Sequence, residues 1–315
     1  MGAVASRYRV YNSGLAPTDI KKLENENKRE NPGTLDELHK KTKDVMPVNF
    51  EGGKLMVNKG ISNHFQMSHT LTMSSAQNGY KLGATYIGTK QISPTEAFPV
   101  LLGDVDPSGN VNFNLIHQLT PEIRLKGAAQ VQECKLTATQ GTLEYKGSDY
   151  TLALAVGKPD FSDKSAVFVG HYLQSVTKRL SLGAELVYQV AARMAGGEIA
   201  IASAAGRYTM DDSEVSATLG AAGFHLCYFK QASEQLQVVA EMDTSFRGME
   251  SVGTIGYQVT IPKAELVFRG MVDSNWNIGA VLEKKLQPLP FTFALSGMAN
   301  QAKQQFKFGC GLIIG

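Results

Sequence analysis

From Gly53 to the last residue, apolar and polar side chains alternate with the period of two that marks half-buried β-strands. The alternation predicts strands near 53–60, 63–74, 80–90, 98–104, 110–119, 122–132, 137–147, 150–158, 165–176, 180–190, 198–210, 214–222, 223–231, 235–247, 250–261, 264–273, 275–286, 290–300 and 304–315. Turn residues separate most of them, as at Asn78-Gly79, Asp106-Pro107-Ser108-Gly109, Lys146-Gly147-Ser148-Asp149, Gly196-Gly197, Asp211-Asp212 and Gln287-Pro288. No helix long enough to cover these strands lies between them.

The two faces differ in kind. One reads Ile123, Leu125, Ala129, Val131; Leu152, Leu154, Val156; Leu180, Leu182, Leu186; Leu236, Val238, Ala240; Phe291, Phe293, Leu295, with no charge in its interior stretches. The opposite face carries Arg124, Lys126, Glu185, Glu241, Asp243, Arg269 and Glu283. A Lys or Arg facing lipid at the bilayer midplane costs about 2–4 kcal/mol, so this segregation is what a membrane barrel requires. Strands 165–176 and 198–210 leave their faces open. A soluble sandwich or lipocalin-type barrel also alternates, but would need repeated copies to use this length, and neither a repeat nor a linker is visible. In hydrocarbon an open sheet edge leaves backbone groups unpaired, which favours a closed cylinder.

Residues 1–47 break the pattern, and 48–315 form the expected barrel. The charge-dense tract 21–30 buries too little apolar area to fold alone. Beyond Asn31-Pro32-Gly33, Thr34 and Glu37 have the spacing of a capping box, which predicts a short helix near 34–44. Leu35, Leu38, Val45 and Met46 give it one apolar side, and Pro47 ends it.

Composition refines the picture. Charged residues make up 19% of the 315, which is low for a soluble protein, and a net charge of +2 argues against a nucleic-acid partner. The first thirty residues lack the apolar core of a secretory signal. A helical span would need about 18 consecutive apolar residues, and the sequence has no such run, but a β-strand crosses with about 9–11. Cys134, Cys227 and Cys310 are odd in number and far apart, so their spacing gives neither a disulfide framework nor a zinc motif. His64 and His69 fall on opposite faces of one strand, and His117 and His171 sit in apolar runs that suit a structural role. No phosphate loop, nucleophile elbow or H-E-x-x-H site occurs, so the expectation is a non-enzymatic protein without metal or cofactor. Met1 to Ser6 fits the N-myristoylation pattern at Gly2.

The last strand carries a more specific motif. Lys307, Gly309, Leu312 and Ile314 have the polar-x-Gly-x-x-apolar-x-apolar form of the insertion signal of mitochondrial outer-membrane barrels. From about Asn31 to Gly315 the chain also resembles the central-channel family of the translocase of the mitochondrial outer membrane. The resemblance rests on Pro94-Thr95-Glu96-Ala97-Phe98-Pro99-Val100, Leu173-Gln174-Ser175-Val176-Thr177, Val272-Asp273-Ser274-Asn275-Trp276 and Leu282-Glu283-Lys284-Lys285-Leu286. It implies a transmembrane β-barrel of nineteen strands, with first and last parallel and the helix inside the pore. It further implies homo-oligomers in membrane lipid, held by a single-span receptor and small single-span subunits, through which precursor proteins pass.

Barrels of about 16–18 strands leave a wet lumen wide enough for one helix or one extended chain. Mitochondrial targeting segments are Arg-rich and poor in acids, so luminal carboxylates would attract them. Alternation assigns Glu144, Glu185, Glu241, Asp243, Glu265, Asp273 and Glu283 to the lumen as presequence-binding acids. Exposed charge pairs are worth about 0–1 kcal/mol each, which gives the weak, sequential binding a conduit needs. Simple solvation of a wet wall, partly neutralised by Arg124, Lys126, Arg269 and Lys285, is the competing reading of these acids. A metabolite porin of related architecture, with an anion-favouring lumen, is the alternative to a protein channel.

Overall fold

The computed structural model describes residues 31–75, 78–93, 96–133, 135–160, 165–190 and 198–315, without the side chains of 91–96 and 158–160. Gly2, Pro94, Thr95, Cys134 and Gly196-Gly197 therefore lie outside the described residues.

The described residues form nineteen strands in one sheet: β1 (Gly52–Ser62), β2 (Phe65–Met73), β3 (Gly79–Ser93), β4 (Glu96–Val105), β5 (Val111–Gln118), β6 (Ile123–Gln132), β7 (Lys135–Lys146), β8 (Tyr150–Asp160), β9 (Ser165–Ser175), β10 (Leu180–Val190), β11 (Glu198–Thr209), β12 (Ser213–Gly220), β13 (Gly223–Gln231), β14 (Leu236–Ser245), β15 (Glu250–Ile261), β16 (Leu266–Asp273), β17 (Asn277–Leu286), β18 (Phe291–Asn300) and β19 (Gln305–Ile314). Each strand pairs antiparallel with its sequence neighbour, and β1 pairs parallel with β19 in the register Gly52 to Gly309 through Val57 to Ile314. The parallel seam follows from the odd count: in an up-and-down meander the first and nineteenth strands run the same way, and closing the sheet leaves no edge.

Side chains alternate across this wall as the sequence pattern requires. Leu152, Leu154, Leu182, Leu186, Ile255 and Phe308 stand exposed on the outside. Tyr145, Tyr150 and Tyr172 gather on that face near the β7–β8 turn, with ring centroids 6.0 and 6.2 Å apart, as in the aromatic girdle of a membrane barrel. No helix among the described residues is long and apolar enough to cross a membrane; the outward apolar faces of the strands take that role.

The helix near 34–44 forms, but not as one piece. Leu35–Glu37 make a single 3-10 turn, and the α-helix α1 spans Lys40–Val45. Thr34 accepts the Glu37 N–H through its backbone oxygen at 3.1 Å, while its buried hydroxyl makes no capping bond. The capping box is therefore not used. The α-helix starts later, with His39 as its N-cap residue, both of whose ring nitrogens contact the wall. After Met46 the backbone turns extended and runs on toward β1.

Candidate functional site

Strand parity defines the two ends of the cylinder. Asn31 donates to Gly147 O at 2.8 Å and Tyr150 O at 3.1 Å, at the β7–β8 turn. Glu51 meets Lys307 and the Ser75 hydroxyl beside the start of β1, at the opposite rim. Residues 31–51 consequently thread the lumen from end to end before the first strand begins.

The crossing segment is fastened by side chains that face inward. The Arg207 guanidinium donates to Pro32 O, His171 lies 3.8 Å from Asp36 and 2.9 Å from Glu185, and Lys41 donates to Glu214 at 2.6 Å. His39 meets Ser216 Oγ at 2.8 Å and Thr218 Oγ1 at 2.9 Å, and the Phe50 N–H donates to Ser296 Oγ at 3.0 Å. Leu35 and Leu38 pack on Leu173 of β9 and Ala205 of β11, an apolar patch on the inner wall. Burial of such a patch inside a wet pore supplies the hydrophobic share of the anchoring.

Inward glycines make room for the last part of the crossing. A Cβ on Gly256 would lie 2.6 Å from Met46 Sδ, one on Gly279 would collide with the Asn49 amide, and one on Gly309 would collide with the Phe50 carbonyl. The Met46 and Asn49 side chains therefore lie against β15 and β17, and the backbone at Phe50 lies close against β19. Asp36, Glu37, Lys40, Lys41, Lys43 and Asp44 remain exposed on the segment, so its free surface is charged with both signs.

The seven acids expected in the lumen have different situations. Glu144 is fully buried against Lys126. Glu185 pairs with His171, Glu241 meets His225 at 2.6 Å, and Glu283 pairs with Arg269 at 2.8 Å. Asp273 accepts the Asn275 and Asn277 N–H groups at 2.9 and 2.8 Å and the Asn277 amide at 2.6 Å, so its carboxylate builds the β16–β17 turn. Glu265 lies at a rim in a left-handed turn residue, φ 50°, between β15 and β16. Asp243 is exposed and has no ion-pair partner among the described residues.

Two luminal acids lie outside the expected set. Asp104 and Glu214 follow from the alternation of β4 and β12 and could have been found by it. His171 has a structural place, between Asp36 of the crossing segment and Glu185 of the wall. On the last strand, Lys307 and Gly309 face inward, whereas Leu312 and Ile314 face outward opposite Phe293 and Phe291.

Outside the membrane-spanning strands, hydrogen bonds from Asn110 hold the Asp106 carboxyl below the usual range at the β4–β5 turn. At the same rim, where the crossing segment ends, the Ser75 hydroxyl and then Lys307 do the same for Glu51.

Comparison with known proteins agrees with this architecture. The family model described as "Eukaryotic porin" matches residues 31–309. The chain is 54% identical over 309 residues to the Drosophila melanogaster "Mitochondrial import receptor subunit TOM40 homolog 2", covering 97% of this chain and 91% of that protein. It is 50% identical over 286 residues to the Homo sapiens "Mitochondrial import receptor subunit TOM40 homolog", covering 90% and 78%, and 46% identical over 286 residues to the Caenorhabditis elegans homolog, covering 90% and 95%. A nineteen-strand cylinder with a parallel seam, matched along nearly its whole length by these proteins, places the chain in the eukaryotic porin family, among the TOM40 homologues.

Proposed function

We propose that this chain is the protein-conducting channel through which precursor proteins enter across the mitochondrial outer membrane, acting as a conduit and not as a catalyst. The observation that carries this reading is a closed cylinder whose inner wall keeps carboxylates open to water around one fastened crossing segment. The names of its relatives, mitochondrial import receptor subunits, support it.

Asp104 and Asp243 are exposed, and Glu185 is about a third exposed beside His171. On this reading they form a weak binding track for cationic presequences, each contact worth about 0–1 kcal/mol. Glu144 and Asp273 serve the wall instead, since one is buried on Lys126 and the other is spent on a turn. Lys307, Gly309, Leu312 and Ile314 act as the signal for insertion, and oligomers form with a single-span receptor and small subunits against the outward apolar face. Gly2 carries a myristoyl group.

The test replaces Asp104→Asn, Glu185→Gln and Asp243→Asn together. Import of presequence-bearing precursors is expected to slow several-fold while the barrel still assembles into membrane. Unchanged import kinetics would refute the track, and an anion-selective purified channel insensitive to presequence peptide would favour a metabolite porin.

A further inference from the structure

One group of metal-binding side chains stands out among the described residues, and it lies where the crossing segment meets the wall. His39 precedes α1, and His225 and Cys227 occupy alternate inward positions of β13; one ligand atom from each lies within 4.8 Å of the others. Cys227 Sγ is 3.7 Å from His225 Nε2 and 4.0 Å from Nδ1. With Zn–S about 2.3 Å and Zn–N about 2.0 Å, a tetrahedral site has an S···N edge of about 3.5 Å, so this pair already stands near ligand spacing. The His39 and His225 rings meet edge to face with centroids 4.6 Å apart.

A carboxylate completes the set. Glu241 lies directly opposite Cys227 across the β13–β14 ladder, and its Oε1 is 2.6 Å from His225 Nε2. Two neutral imidazoles, a thiolate and a carboxylate around a divalent ion sum to zero charge, which limits the cost of holding the ion at a partly buried place. Thiolate and imidazole together select Zn²⁺ over the hard cations Mg²⁺ and Ca²⁺. Ser216 and Thr218 contact both nitrogens of His39, so one contact gives way to the metal and the other keeps the ring oriented, as outer groups do for metal-bound histidines.

We propose that His39, His225 and Cys227, with Glu241 as the fourth group, form a Zn²⁺ site that pins the crossing segment to the channel wall. On binding, the Cys227 thiol loses its proton to lumen water, and the Glu241 carboxylate turns from the His225 N–H toward the ion. His39 belongs to the segment and the other three to the wall, so the ion binds tightly only when the segment is seated. Metal occupancy and seating are thereby linked. The proposal does not depend on what the channel conducts.

The test uses the full chain refolded in detergent, with Cys134→Ser and Cys310→Ser leaving Cys227 as the remaining thiol, titrated with Co²⁺ as a spectroscopic stand-in. The expected result is one Co²⁺ per chain, with visible bands of tetrahedral Co²⁺ and a thiolate charge-transfer band, both removed by one equivalent of Zn²⁺. Cys227→Ala should abolish the charge-transfer band. His39→Ala lies outside the wall, so it should lower affinity at least 10-fold with the β-sheet circular dichroism unchanged, and His64→Ala should change nothing. Absence of the charge-transfer band with Cys227 intact would overturn the site. Undiminished affinity in His39→Ala would overturn the pinning.

Discussion

The Lys307 ammonium lies 2.9 Å from the Glu51 carboxylate, so the last strand of the barrel is tied by its polar inward residue to the chain just ahead of the first. Gly52, the next residue, is already in register with Gly309 across the parallel seam. A parallel ladder is slightly weaker per residue than the antiparallel pairs around it, which makes this ion pair a local clasp on the closing joint.

Acid should loosen that clasp. Ser75 and Lys307 hold the Glu51 carboxyl below its usual range, so its contribution is present above the ordinary carboxylate value and is lost as pH falls through the lowered one. Protection factors at Lys54–Val57, which correct for the slower intrinsic exchange in acid, should therefore fall on acidification in the wild-type protein. In Glu51→Gln the seam should be less protected at neutral pH, and its protection factors should not fall further with acid.

The glycines beneath residues 46–50 should resist enlargement. Gly309→Ala drives a methyl into the Phe50 carbonyl and ring, and Gly256→Ala drives one into Met46. At Gly309, where the clash is with backbone, such overpacking costs about 1–3 kcal/mol; at Gly256 the Met46 side chain can shift and the effect should be smaller. The expected outcome is a crossing segment that proteases cut more readily, with the β-sheet signal retained; Gly297→Ala, whose Cβ would meet nothing, is the control.

Lys41 should matter through Glu214. That carboxylate is 6% exposed and accepts the Lys41 ammonium at 2.6 Å, so Lys41→Ala leaves a nearly buried charge without its partner. The loss should be about 1–3 kcal/mol of segment anchoring. Adding Glu214→Gln should recover most of it, read as the denaturant midpoint for release of the segment.

Leu186 is 53% exposed at the middle of β10, on the outward face. Leu186→Arg should destabilise the membrane-inserted barrel by about 2–4 kcal/mol, measured by reversible unfolding from lipid vesicles. Leu186→Val should be nearly silent.

Much of the fold was legible because a strand in lipid obeys a strict rule. Each of the nineteen expected strands is present, and Asn78-Gly79 and Asp106 to Gly109 mark real turns. The open faces of β9 and β11 have a physical cause. Val167, Val169 and Leu173 on β9 and Ala205 on β11 face inward yet are apolar, so both faces of these strands look alike. Leu173 and Ala205 are apolar because Leu35 and Leu38 lie on them, a contact between residues far apart in the chain.

Alternation along the chain set the strands, the membrane as their solvent and, except in β9 and β11, their inward and outward faces, because hydrocarbon imposes its demand residue by residue at a period of two. The tertiary structure alone decided what fills the cylinder. It brought His39 to Ser216 and Thr218, Lys41 to Glu214 and Phe50 to Gly309. Those partners lie more than 170 residues apart in the chain, and no local pattern encodes a contact that exists only once the sheet has closed around the segment.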